Sequence, residues 1–264
     1  MSEASDFRPW RIAWRPSMLR YKAGPLCCGD WRRMNPHAAE SGSNFGTVPA
    51  ALRLGPGLTN PWSLLIKRLL DLAVATLLLI LALPFSAVIA ILIVLDSPGP
   101  VFFRHNRIGK GNRTFRLWKF RTMKKDADTV LEQYLDAHPD LRTEWEDTHK
   151  LKNDPRVTRV GRLLRRSSLD ELPQLISVLR GDMSMVGPRP IVAEEAVKYG
   201  PVFTLYLQVR PGLTGLWQAS GRTDTSYRKR LALDLRYLTT RTLWMDLWLL
   251  AKTVKVVLFG HGAY

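Results

Sequence analysis

The sequence holds little that could staple a fold or bind a resident transition metal. Its two cysteines, Cys27 and Cys28, are adjacent, and neighbours in sequence cannot join distant parts of a chain, so no disulfide framework is expected and a reducing compartment fits. The five histidines show no metal-ligand spacing, and no Walker, dinucleotide-binding or zinc pattern occurs. The first residues, Met1 to Asp6, lack the basic start and apolar stretch of a secretion signal, so export is not expected. There is no internal repeat and no low-complexity tract. Acid is scarce: 23 Asp and Glu stand against 39 Lys and Arg, a formal charge of +16. That imbalance implies an anionic partner, with nucleic acid, phospholipid headgroups and a phosphorylated substrate all open on charge alone. A chain of 264 residues can hold one sizeable domain, or a smaller one with appendages, around a real core.

Long apolar runs are also scarce, which makes the one exception informative. From Leu69 to Leu95 the only non-apolar residues are Asp71, Thr76, Pro84 and Ser86. As a straight helix this run is roughly 40 Å long, enough to cross a hydrocarbon core of about 30 Å. Two features oppose a crossing. Pro84 removes a backbone donor near the middle, so a bend is expected there. Lys67 and Arg68 precede the run, while Arg104, Arg107, Lys110, Arg113, Arg116 and Lys119 follow it, so both flanks read as cytoplasmic. A re-entrant helix that breaks at Pro84 and returns to its own side satisfies both, with Ser86 or Thr76 available to the backbone groups the proline frees. A single span is the alternative.

Three regions follow: residues 1–60, a mostly disordered basic arm; residues 61–97, the membrane helix; and residues 98–264, a cytoplasmic catalytic domain. Within the last, Val101 to Arg104 and Thr114 to Thr122 read as strands of a hairpin around Gly109-Lys110-Gly111-Asn112. Asp126 to His138 reads as an acidic, solvated helix, Arg159 to Arg166 as a basic one, and Ser168 to about Leu179 as a third that Gly181 stops. Tyr227 to Leu238 and Leu243 to Phe259 read as amphipathic helices. The second places Trp244, Leu247, Trp248, Leu250 and Ala251 on an apolar side with Lys252 and Lys255 elsewhere, suited to a membrane surface and equally to core packing.

The segment Arg165-Arg166-Ser167-Ser168-Leu169-Asp170-Glu171-Leu172-Pro173-Gln174 supports two readings that can coexist. Ser168 and Glu171 form a capping box, with Asp170 on the helix dipole and Pro173 in the first turn. Alternatively one carboxylate is a nucleophile or metal ligand and its neighbour a base or second ligand, with the arginines holding phosphate oxygens. Gly187-Pro188-Arg189-Pro190 presents one arginine from a stiff, solvent-facing loop. Arg107-Ile108-Gly109 and Lys119-Phe120-Arg121-Thr122-Met123 bring further cations and glycine amides, which suit phosphate or a membrane surface.

Taken in order, Lys67-Arg68 with Asp71, the proline-broken helix, Gly99 to Phe103, Arg107-Ile108-Gly109, Lys119 to Met123, Ser168 to Leu175, Gly181 to Ser184, Val186 to Pro190 and Arg210 to Gly215 resemble the bacterial sugar transferases. These are monotopic phosphoglycosyl transferases that start glycan assembly on a polyprenyl phosphate. The resemblance covers roughly residues 62 to 264 and is to the compact form. It implies transfer of hexose 1-phosphate from a UDP-sugar to undecaprenyl phosphate with release of UMP and a requirement for Mg²⁺. By the same resemblance Asp170 is the nucleophile, Glu171 its partner, the two sharing the metal, Arg165 and Arg189 bind phosphate, and Pro84 breaks the helix. Some members place serine directly before that proline; this chain has Leu83 there and Ser86 after it. The fold expected is α/β-type, mostly helical with a small β-hairpin, anchored by the re-entrant helix and interfacial amphipathic helices at the cytoplasmic face of a bacterial inner membrane. Expected partners are the UDP-sugar, the polyprenyl phosphate and membrane lipid, with self-association open and no nucleic acid. A membrane-tethered nucleic-acid-binding protein is the competing reading, and it predicts salt-sensitive binding with no dependence on Asp170.

Overall fold

The computed structural model describes residues 53–142, 145, 151, 153–220 and 227–259. Most of the arm at 1–60 lies outside them, but its last residues belong to the fold. A short helix α1 (Pro56–Thr59) buries Leu58, and the Gly55 amide donates to the Leu238 carbonyl. Folded structure therefore begins ahead of the expected boundary at 60.

The long apolar run forms α2 (Pro61–Asp96), a helix of 36 residues that the Asn60 side chain caps by accepting from the amides of Trp62 and Ser63. Among the described residues it is the one helix long and apolar enough to cross a membrane. The expected break at Pro84 does not divide it: the helix continues through that residue, since proline removes one backbone bond while its aliphatic neighbours keep theirs. One stripe of α2, Lys67, Asp71, Ala75, Ala82, Ile89 and Ile93, is buried. The opposite face, including Leu77, Ile80, Leu83, Phe85, Val88 and Ile91, is exposed. So large an unpartnered apolar face is what a membrane-contacting surface looks like.

The buried stripe packs on two clusters. Ala75 joins Leu175, Val178, Met183, Met185, Val186, Tyr237 and Leu249, while Ile89 and Ile93 join Phe120 and Leu164. Polar anchors hold both ends. Arg68 donates to the carbonyls of Val178 and Leu179, Asp71 accepts from the Met185 amide, and Asp96 accepts from the Val160 amide. Near the first turn, buried Asp246 gathers Lys67 at 3.2 Å, Arg241 at 2.7 and 2.9 Å and the Tyr237 hydroxyl at 2.8 Å.

The hairpin is confirmed, its first strand longer and its second two residues shorter than expected: β1 (Phe102–Ile108) pairs antiparallel with β2 (Thr114–Phe120), Arg107 opposite Phe115 and Phe103 opposite Lys119. The polar run Arg104 to Arg107 hid the rest of β1, because Arg104 to Asn106 are exposed and the run has no apolar alternation. Left-handed Gly111 and Asn112 close the turn. Next come α3 (Ala127–Ala137) and α4 (Arg159–Ser167), close to the sequence expectation. The former is not wholly solvated, since Leu131 and Leu135 are buried.

The expected single helix from Ser168 is not formed. Ser168 is left-handed, Leu169–Glu171 make one 3₁₀ turn, and α5 (Gln174–Arg180) begins only after Pro173, ending at left-handed Gly181. Pro173 cannot continue a helix from the preceding turn without clashing with it. The Ser168 side chain makes no cap here, so the capping box is absent and both carboxylates are released for other partners. Then follow β3 (Ser184–Val186), α6 (Ala196–Tyr199), α7 (Val202–Tyr206), β4 (Gly212–Thr214), parallel to β3, α8 (Leu216–Ala219), α9 (Tyr227–Thr240) and α10 (Leu243–Phe259). On α10, Trp244, Leu247 and Trp248 are exposed and Leu249 is fully buried. Lys252 is not set apart from the apolar side, because its ammonium lies 4.8 Å from the Trp248 ring centre.

Candidate active site

The released carboxylates meet the hairpin. Lys119, near the open end of β2, places its Nζ 2.7 Å from Glu171 Oε1 and 3.2 Å from Asp170 Oδ2. Asp170 is buried, whereas Lys119 and Glu171 are half-buried. Arg165, in the last turn of α4, joins them: its Nε donates to Thr122 Oγ1 at 3.0 Å, and Asp170 and Asp154 both act on its charge. α4 docks this closely because Gly161 has no side chain; a Cβ there would overlap the Thr122 carbonyl. The segment Lys119 to Thr122 thus carries a cation for the carboxylates and the seat for α4.

One ammonium serves two carboxylates, and the charges respond unequally. Burial pushes the Asp170 carboxyl above the usual carboxylate range, Glu171 adds to this, and Lys119 and Arg165 pull it back without cancelling it. For Lys119 burial acts downward, but Glu171 and Asp170 together outweigh it and hold the ammonium above its ordinary value. The two carboxylates outweigh burial at Lys119, so the lysine stays charged, whereas Lys119 and Arg165 together do not outweigh it at Asp170, which is the strained member. For Arg165, burial lowers the pKa.

The other expected cations lie elsewhere. Arg107 Nη1 donates to the Pro190 carbonyl at 3.4 Å, and burial followed by the nearby Arg189 lowers its pKa. Arg189 is not solvent-facing as expected: it is half-buried, its guanidinium 5.1 Å from the Trp217 ring centre. The loop around it is stiffened by more than its prolines. The Gly187 amide donates to Thr214, Gly212 donates to Pro188, and a Cβ on Gly212 would overlap the Gly187 amide. Arg121 is brought to neither group, since its guanidinium donates to the carbonyls of Ser97 and Pro98 beyond the end of α2. Pro84 and Ser86 lie within α2, Ser86 half-buried on the side that carries Ala82 and Ile89.

Apart from Arg121, Pro84 and Ser86, the expected site residues therefore fall into two groups along the hairpin, one at Lys119 and one at Arg107. Lys119 stands opposite Phe103, and Arg107 is four residues further along β1, about 14 Å at the usual strand rise. Sequence reading missed what surrounds Arg189. Trp217 lies beneath both Arg189 and Arg230, the latter 4.6 Å from its ring centre, and Tyr199 donates to buried Asp234 at 2.8 Å. Asp234 was hidden as one polar residue of an amphipathic helix. Trp217 offered only its place just after the Arg210 to Gly215 segment.

Comparison with known proteins identifies the family. Residues 62–260 match the family model for bacterial sugar transferases. The chain is 45% identical over 225 residues to the exopolysaccharide production protein ExoY of Rhizobium meliloti, covering 85% of this chain and all of that one. It is 45% identical over 213 residues to the undecaprenyl-phosphate galactose phosphotransferase of Salmonella typhimurium, but spans only 44% of that longer protein. It is 42% identical over 206 residues to the UDP-glucose:undecaprenyl-phosphate glucose-1-phosphate transferase of Caulobacter vibrioides, covering 75% of this chain and 72% of that one. With the family model matching residues 62–260 and a relative 45% identical over its whole length, this protein belongs to the bacterial sugar transferase family.

Proposed function

We propose that this sugar transferase moves hexose 1-phosphate from a UDP-sugar to undecaprenyl phosphate, releasing UMP, at the cytoplasmic face of a bacterial inner membrane. The observation that carries the reading is the Lys119 bridge between Asp170 and Glu171, with Arg165 beside it. Attack of one phosphate on another opposes two anions in a single step, and a carboxylate nucleophile divides that step in two. An Asp170 oxygen bonds to the sugar-bearing phosphorus as its bond to the bridging oxygen breaks, and UMP leaves with that electron pair. An oxygen of the lipid phosphate then bonds to the same phosphorus and Asp170 departs as carboxylate. Lys119 and Arg165 hold the site's charge through both steps, and Arg107 and Arg189 bind the remaining phosphate oxygens.

Magnesium fits this donor set. Asp170 and Glu171 offer hard oxygens, and no group of three or more His, Cys, Asp or Glu suited to a metal occurs among the described residues. Such a pair suits an ion that completes its shell from water and phosphate. Asp170 and Glu171, whose oxygens Lys119 meets at 3.2 and 2.7 Å, would hold it, and it would supply positive charge against the phosphates of the substrate.

The membrane part of the reading is that α2 stays in one leaflet. What supports it is contact of α2 with one body from Lys67 to Ile93, about 39 Å along a straight axis. A helix crossing a bilayer has its ends on opposite sides of a core about 30 Å thick, where one water-facing body cannot hold both. Exposed Trp244 and Trp248 on α10 supply interfacial aromatics.

The test is a UMP burst. With a UDP-sugar and no polyprenyl phosphate, the enzyme releases up to one UMP per site and retains the sugar phosphate, and Asp170→Asn abolishes burst and turnover. Full turnover by that variant, or a requirement that both substrates bind before UMP leaves, would sink the covalent reading.

A further inference from the structure

A cavity of about 60 Å³ lies beside the first turns of α2, lined by Lys67, Arg68 and Asp71 of that helix, by Lys110 of the hairpin turn and by Arg210. One water needs about 10–15 Å³ of cavity, so the space holds on the order of four or five heavy atoms, as many as a phosphate group has. The charges around it are unbalanced. Asp71 is the one acid of the lining, and it is already engaged, meeting Lys67 at 3.6 Å and the Met185 amide at 3.1 Å. Lys67 is held in turn by Asp246. Arg68 gives Nη1 and Nη2 to the Val178 and Leu179 carbonyls, and Arg210 gives Nε to the Gly181 carbonyl. Both guanidiniums are thus fixed by the end of α5 with no carboxylate to offset them. The Arg210 Nη groups and the exposed Lys110 ammonium have no hydrogen-bond partner among the described residues. Three cations therefore border one small cavity without a protein anion between them, an arrangement that an oxyanion would relieve.

The position of the cavity narrows what that anion is. Lys67 and Arg68 are the last basic residues before the apolar run from Leu69 to Leu95, and exposed Trp62 stands just ahead of them. On a helix entering a membrane this is the level of the lipid phosphates. It is also apart from the carboxylate group, because the Ile108–Thr114 pair beside the turn is five strand residues beyond the Phe103–Lys119 pair, about 17 Å at the usual rise.

We propose that this cavity binds one phosphate-type oxyanion, Arg210 and Lys110 donating to its oxygens and Arg68 adding charge behind them. Two sources carry that chemistry, the headgroup of an acidic phospholipid and free phosphate, and the depth of the cavity on α2 favours the headgroup. The lipid source rests on α2 lying in a membrane; the anion site does not. One lipid held here would fix the depth at which α2 enters the leaflet.

The test is native mass spectrometry of the full chain in maltoside micelles, titrated with phosphatidylglycerol and, separately, with inorganic phosphate. One phosphatidylglycerol adduct should saturate before a second forms. Lys110→Gln combined with Arg210→Gln should weaken that first adduct at least tenfold, the scale of two charge-assisted hydrogen bonds lost. Lys110→Gln alone, which alters an exposed side chain and keeps the test open if the double variant fails to fold, should weaken it about fivefold. Arg113→Gln combined with Arg116→Gln removes the same charge from exposed positions of the hairpin outside the lining and should stay within about twofold of wild type. A preference for the lipid of about tenfold or more assigns the site to a headgroup, and phosphate binding as tightly as the lipid, at the same residues, assigns it to a soluble oxyanion. No saturable first adduct with either probe, an unchanged affinity in Lys110→Gln, or an equal loss in the two double variants overturns the proposal.

Discussion

Exchanging Asp234 for asparagine removes one charge from the interior while leaving an oxygen for the Tyr199 hydroxyl. Burial pushes this carboxyl from the ordinary 3.8 up to about 7, against the pull of Tyr199, Arg189 and Arg230. A carboxyl raised in the folded state contributes full stability only below its unfolded value, and that contribution is lost as pH rises through the folded one. The rise of roughly 3 pH units, at about 1.4 kcal/mol each, sets a ceiling of about 4 kcal/mol on the cost of charging Asp234. The part falling between about pH 5.5 and about pH 8 is roughly 1.5 units, or about 2 kcal/mol. Facing groups do not blur this window: burial raises the hydroxyls of Tyr199, Tyr206 and Tyr227 away from it, guanidiniums stay charged, and Glu195, the other acid lining the cleft beside Trp217, is common to both proteins. Asp234→Asn should therefore be more stable than wild type, with the gap widening by about 2 kcal/mol, or about 4–8 °C in Tm, from about pH 5.5 to about pH 8. Thermal unfolding in nanodiscs at both values measures it. A gap that stays flat, or narrows with pH, would refute a carboxylate held neutral by burial.

Lys119→Met should lower the UMP burst rate by about a hundredfold and move its rising pH limb upward, because Asp170 loses the cation that offsets its burial; a pH–rate profile reads both. Asp246→Ala leaves Arg241 buried without its carboxylate and Lys67 with Asp71 alone, at 3.6 Å, and should cost about 3–5 kcal/mol in denaturant unfolding, so a loss under about 1 kcal/mol would show the hub to be replaceable. Single cysteines at Trp62 and Arg104, in a variant lacking Cys27 and Cys28, should be labelled only from the cytoplasmic side of inverted and intact vesicles; periplasmic labelling of either would end the one-leaflet reading.

The sequence by itself determined whatever depends on local chemistry. The apolar run of α2, the hairpin turn at Gly111-Asn112, the stop at Gly181 and the helix from Leu243 each follow from side chains a few positions apart. The order of its short motifs was enough to identify the family. Local rules misled where two of them competed. Ser168, Glu171 and Pro173 read as a capped helix start, but left-handed Ser168 and the Pro173 restart leave Asp170 and Glu171 in a tight turn facing Lys119. That contact joins residues about fifty positions apart, and only the docking of α4 and α5 on β2 decides it. Tertiary structure also separated the cations that looked alike in sequence: Arg165 stands beside Asp170, Arg189 lies over Trp217, and Arg121 closes the loop after α2. A side chain's charge is written in the sequence. Which carboxylate, ring or carbonyl it meets depends on which elements pack together, because burial and long-range contact set both its partner and its pKa.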